Sequence, residues 1–162
     1  MNAFVTTEEL SNTPITLQQI IGGLLASYQP VAVRQNSFFI NDVPAALAVY
    51  ANRCTVSTLL GSLLYITGRL CKDTCIKISA KSYHDVIIIH IKDTCTFNSY
   101  GILKELEHLR LLASEIGGSV ELTSRRKKET TIALSFINRA ERQFLSVSIG
   151  KKEDQNRESM RA

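Results

Sequence analysis

The chain has 162 residues and a mass of 18.0 kDa, enough for one domain with a short extension and too little for two full ones; such a domain buries a core without metal or disulfide support. Apolar types make up 44% and charged types 21%, which excludes a disordered or fibrous chain. Nineteen Lys and Arg against fifteen Asp and Glu leave a net +4, which favours solubility and permits an anionic partner without specifying one.

Residues 1–14 are polar and mixed, an arm or linker; Thr6 to Glu9 lack the basic start and apolar stretch of a secretory signal. From Thr16, a candidate cap, Leu17, Ile20, Ile21, Leu24, Leu25 and Tyr28 recur at helical spacing. Pro30 is expected to stop this helix, with Val31 to Ile40 following as a strand and Asn41-Asp42 as a turn. Ala45 to Tyr50 fit a short strand or part of a helix equally. A second helix is predicted over Thr55 to Leu70, its face formed by Val56, Leu59, Leu60, Leu63, Leu64 and Thr67 and broad enough to lie on a sheet.

Cys75 to Ala80 and Val86 to Ile91 read as strands joined by a polar turn, Lys81 to Asp85. The second, Val-Ile-Ile-Ile-His-Ile, is apolar in both parities, as for a central strand covered on both faces or packed on one and partly shielded on the other. His90 within it reads as a hydrogen-bonded strand histidine. Asn98 or Ser99 can cap a third helix over about Ile102 to Ile116, carrying Ile102, Leu103, Leu106, Leu109, Leu112 or Ala113, and Ile116, and Gly117-Gly118 ends it. Ser119 to Thr123 and Thr131 to Ile137 form a hairpin across Ser124 to Glu129. Beyond Asn138, Phe144 to Ile149 can add one alternating strand before a polar tail. The order implies a two-layer α/β sandwich, with helices on one face of a mixed, mostly antiparallel sheet.

No apolar run approaches the roughly twenty residues of a membrane span, so no membrane contact and a cytoplasmic location are expected. Cys54, Cys71, Cys75 and Cys95 contain no tight Cys-x-x-Cys pair, and His84, His90 and His108 fall in separate elements; buried free thiols are expected rather than a zinc site. Tyr and Phe are dispersed and Trp is absent, which argues against a base-stacking platform and hence against nucleic acid. Arg125 to Lys128 read as a solvated basic turn, with contact to an anionic partner as the alternative. No glycine-flanked serine elbow is present, and a Cys-His pairing would need unrelated elements.

Residues 15–138 resemble the ATP-binding domain of sensor histidine kinases, a GHKL-type fold shared with gyrase and MutL. Leu59 to Thr67 falls on the family's Asn-Leu-Leu-x-Asn-Ala helix, Asp93 to Phe97 falls on its Asp-x-Gly-x-Gly turn, and Gly117 to Leu134 resembles its closing Gly-Gly, strand, basic turn, Gly-Thr and strand. The resemblance implies that Asp93 receives the adenine amino group and that Ser62 stands where the first asparagine would. It also places Ile66 where an asparagine holds magnesium, Thr67 at the alanine, Cys95 and Phe97 at the two glycines, Glu105 at the last lid glycine and Glu129 at a glycine near the closing strand.

Magnesium demands oxygen ligands, which Ile66 lacks. A carboxylate at Glu105 is expected to repel phosphate, and Phe97 with the leucine-rich start of the third helix to fill the space of a nucleotide. Asp93→Ala is expected to abolish residual adenine binding while leaving the fold intact. Three regions result: an arm over 1–14, a degenerate histidine kinase-like domain over 15–138, and an extension over 139–162. The expected function is a binding or regulatory module in signalling that uses no cofactor and takes a protein partner, with a homodimer compatible. Residues 1–14 are too short for the phosphoacceptor-histidine domain, which in a longer parent would precede Met1. Two alternatives stand beside this. One is an active kinase domain, of the sensor or anti-sigma-factor-kinase kind, using ATP and Mg; the other is an unrelated small α/β protein.

Overall fold

A computed structural model describes residues 14–94, 99–125 and 129–139. Their elements run α1 (Leu17–Val33), β1 (Phe38–Asp42), α2 (Arg53–Leu70), β2 (Cys75–Tyr83), β3 (Val86–Asp93), α3 (Ser99–Ser114), β4 (Ser119–Arg125) and β5 (Glu129–Ile137). The arm before Pro14, the strand expected over Phe144 to Ile149, the polar tail, Cys95, Phe97 and most of the basic turn lie outside the described residues.

The five strands form one sheet in the order β1-β2-β3-β5-β4. Only β1 and β2 are parallel; α2 provides the crossover that parallel neighbours require, and the other three pairings are antiparallel. Period-two alternation sends one parity of each strand to a single helical layer. Ile76 and Ile78 of β2, Ile87, Ile89 and Ile91 of β3, and Ile132, Leu134 and Phe136 of β5 join Leu17, Ile21, Leu59, Leu60, Leu63, Leu64, Ile102 and Leu106 in one core. The sheet is thus covered on one face, the two-layer α/β sandwich expected. On the opposite face of β3, Val86, Ile88 and His90 are half-buried, so this strand is packed on one side and partly shielded on the other.

Local signals account for several boundaries. Thr16 and Gln19 form a capping box at α1: the Gln19 N–H donates to Thr16 Oγ1 at 3.2 Å, and the Thr16 N–H donates to Gln19 Oε1 at 3.1 Å. Asn52 caps α2 by accepting from the Thr55 N–H at 3.2 Å, which starts that helix at Arg53. At the end of α3, Gly118 N–H reaches the Ala113 carbonyl at 2.8 Å and Gly117 N–H the Ser114 carbonyl at 3.1 Å, with Gly117 left-handed at φ 64°. This pair of bonds is a Schellman motif.

Other expectations require correction. Pro30 lies inside α1, which continues to Val33, and Asn41-Asp42 belong to β1. The proline forfeits one helical hydrogen bond in the last turn, but Ala32 beyond it is fully buried, its backbone nitrogen close to Gly68 of α2; that packing holds the turn. Ala45 to Tyr50 are neither strand nor helix apart from an isolated bridge between Thr16 and Ala48. The β2–β3 turn contracts to His84-Asp85, with Tyr83 paired to Val86 and His84 left-handed at φ 54°. Leu103 lies on the solvent side of α3, whereas Ala113 is buried. Cys54 is exposed and Cys75 half-buried, so of the three described thiols only Cys71 is a core residue.

Asn138 fastens the irregular segment before α2. Its Oδ1 accepts from the backbone N–H groups of Tyr50 (2.7 Å) and Ala51 (3.3 Å), and its Nδ2 donates to the Ala48 carbonyl at 2.9 Å. Asn138→Ala removes all three bonds and is expected to lower stability by about 1–2 kcal/mol in urea denaturation. An unchanged midpoint would show that the segment holds without it.

Candidate functional site

The site is built where three chain segments meet: the C-terminal end of α2, the end of β3 and the start of β5. Asp93, the last residue of β3, has only 3% of its surface exposed and lies opposite Thr130 in the β3–β5 register; Thr130 is likewise buried. The Cys71 thiol, immediately after α2, donates to Asp93 Oδ2 at 3.2 Å. The Cys71 carbonyl accepts from Ser37 Oγ at 2.9 Å, Ser37 Oγ accepts from the Thr74 N–H at 3.2 Å, and Thr74 Oγ1 lies 2.8 Å from Thr94 Oγ1. A chain of polar contacts therefore runs beneath this end of the sheet and orients the Asp93 carboxylate. From the residues Cys71 is expected only as a buried thiol, and neither Ser37 nor Thr74 is singled out; a small polar residue beside each element end was the available signal.

On α2, Ser62 is half-buried, Ile66 is 6% exposed and packed into the core, and Thr67 is fully buried. The Thr67 hydroxyl lies 2.9 Å from the Leu63 carbonyl and 3.2 Å from that of Leu64, the back-bonding expected of a threonine inside a helix. Glu129 is exposed at the start of β5. Glu105 is not a lone negative charge: its Oε1 accepts from Arg69 Nη2 at 2.6 Å, joining α3 to α2. Ion pairing offsets the repulsion expected from this carboxylate.

Three clefts are lined by described residues. One, of about 470 Å³, is bordered by Asn36, Ser37, Phe38, Asp73, Thr74 and Cys75 and so shares Ser37 and Thr74 with the polar contacts near Asp93; the second, of about 320 Å³, lies between Asn52, Ile116, Ile137 and Arg139, and the third, of about 300 Å³, beside Arg110, Gly118 and Glu121. No group of three or more His, Cys, Asp or Glu among the described residues has the arrangement of a metal site, and no described helix is long and apolar enough to cross a membrane. Magnesium, which the resemblance implies, does not fit the residues present: Ile66 has no oxygen, and the neighbouring Thr67 hydroxyl is directed to helix carbonyls.

No protein-family model matches the chain, and no curated protein matches it in sequence. Solved structures do match. Histidine kinase AdeS of Acinetobacter baumannii superposes with a TM-score of 0.67 at 14% identity, covering 78% of this chain and 66% of its own, so that the present chain spans just under two thirds of it. The catalytic domain of histidine kinase ThkA gives 0.67 at 15% identity and covers 80% of this chain and 98% of its own. ThkA in complex with the response regulator protein TrrA gives 0.62 at 15%, covering 78% of this chain and 41% of that one. At such identities the likeness is one of fold: this chain has the two-layer α/β fold of histidine kinase catalytic domains.

Proposed function

We propose that this chain is a signalling module that keeps the histidine kinase fold and its adenine-facing acid, lacks magnesium-dependent phosphate chemistry, and acts by binding a partner protein. The carrying observation is Ile66, buried at the position where the resemblance sets the metal-holding asparagine. Ser62 and Thr67 do not substitute for it, one being a half-buried hydroxyl and the other turned to its own helix. A partner protein accords with the complex between ThkA and its response regulator.

A second reading, an active ATP-dependent kinase domain, draws on one feature: Asp93 is retained and buried opposite Thr130, an acid held in place at a strand end. Titration calorimetry with ATP, ADP and adenosine, each with and without magnesium, separates the two. The expected result is a dissociation constant above roughly 1 mM for Mg-ATP, less than about 4 kcal/mol of standard binding free energy, with little response to magnesium or to phosphate number. A micromolar constant that requires magnesium would overturn the proposed reading in favour of the second.

A further inference from the structure

The cleft of about 320 Å³ lies at the end of the sheet remote from Asp93: Asp93 pairs with Thr130 where β5 begins, whereas Ile137, on the cleft wall, is where β5 ends. Its walls are fixed by contacts already made. The Ile137 N–H donates to the Ile116 carbonyl at 3.2 Å, and Asn138 holds Ala51, which lines the cleft beside Asn52. Ile137 keeps 40% of its surface exposed although Ile132, Leu134 and Phe136 of the same strand are buried. Water held against isoleucine in a concave site is displaced favourably by an apolar side chain. Glu115 stands on the rim and makes no ion pair with another described residue.

The chain also leaves β5 along this rim. The Asn138 N–H donates to the Asp85 carbonyl at 2.7 Å, and Arg139, itself a lining residue, donates to Asp85 Oδ2 from Nη2 at 2.5 Å and from Nε at 3.1 Å. The next apolar run, Phe144 to Ile149, starts five residues further on, a stretch that reaches at most about 17 Å. A segment tethered at the rim meets the cleft at high effective concentration, and Arg142 supplies a charge opposite to that of Glu115. A sixth strand is the less favoured use of this run, because backbone groups of both outer strands are already taken. On β1 the Phe39 N–H donates to Gln29 Oε1, and on β4 the Val120 carbonyl accepts from Arg110 Nε, each at 3.0 Å.

We propose that this cleft is the docking site of the chain's own extension, with Phe144 seated between Ile116 and Ile137 and Arg142 paired with Glu115 at the rim. The extension thereby covers apolar surface between the starts and ends of α2, α3 and β5, and closes it to other proteins. Nucleotide binding at Asp93, at the other end of β5, neither supports nor weakens this assignment.

Hydrogen exchange read by mass spectrometry on the full chain, as wild type and as Phe144→Asp, tests it. Residues 144–149 are expected to exchange at least tenfold more slowly in the wild type, and the segments carrying Asn52 and Ile116 to lose protection with them in the variant. Equal exchange of 144–149 in the two proteins would overturn the proposal. A loss of protection along β1 or β4 instead would show strand addition and refute the cleft as the seat. Protection that disappears on dilution would assign the occupant to a second copy and refute docking within one chain. Glu115→Lys and Arg142→Glu are each expected to speed exchange of 144–149 at least threefold, and the double variant to restore the wild-type rate; a double variant no slower than the single ones would refute the rim pair and the seating built on it.

Discussion

Gly118→Ala is expected to destabilise the fold by about 3 kcal/mol or more, because the added methyl has nowhere to go. A Cβ built at this position would stand 2.0 Å from the Ser135 carbonyl oxygen and 3.0 Å from the Phe136 Cα, both backbone atoms of β5. Relief would require β4 to move off β5, and Val120, Leu134 and Phe136, all buried, anchor that pairing. The neighbouring Gly117→Ala is the internal comparison. Its Cβ would meet the tip of the Ile137 side chain at 2.6 Å, which can rotate, so the main penalty is the left-handed backbone at φ 64°, about 1–2 kcal/mol. Urea denaturation of both variants checks the difference. Equal, small losses would show that the β4–β5 approach relaxes more readily than the close contact implies.

Asp93→Ala is expected to remove adenosine binding and, at the same time, to lower stability by on the order of 2 kcal/mol. From sequence the substitution is expected to spare the fold; burial changes that expectation. With 3% of its surface exposed, the carboxylate is an internal acceptor for the Cys71 thiol, and its loss removes that contact and opens a void. The Cys71→Ala/Asp93→Ala double variant should lose less than the sum of the two single variants, since both remove the same contact. Denaturation midpoints report the structural part and adenosine calorimetry the binding part. If binding persists in a folded Asp93→Ala protein, the residue's role is structural and does not include holding adenine.

Elements with a clear hydrophobic period were legible from the residues. The apolar stripe from Val56 to Leu64 predicts α2, and Gly117-Gly118 after a leucine-rich run predicts the end of α3; each is set by contacts within a few positions. Pro30 misled because local propensity argues for a break while Ala32, two residues later, gains enough by packing on α2 to continue the helix. Ala45 to Tyr50 carry no dominant period, and what holds them is Asn138, 88 positions away from Tyr50.

The order of elements, the alternation that puts one sheet face inside and the acid at the end of β3 follow from residue types at short spacing, where local geometry decides; that Ile66 stands where an oxygen ligand would is what the family resemblance implies. The surroundings of Asp93 and Glu105 do not. Cys71 and Asp93 stand 22 positions apart and Arg69 and Glu105 36, so their contacts exist only once α2, α3 and β3 have packed around the core. Charge and hydrogen-bond partners at such separations depend on where hydrophobic burial brings the elements together, and that geometry made Asp93 a buried acceptor for a thiol and an expected repulsive carboxylate one half of a salt bridge.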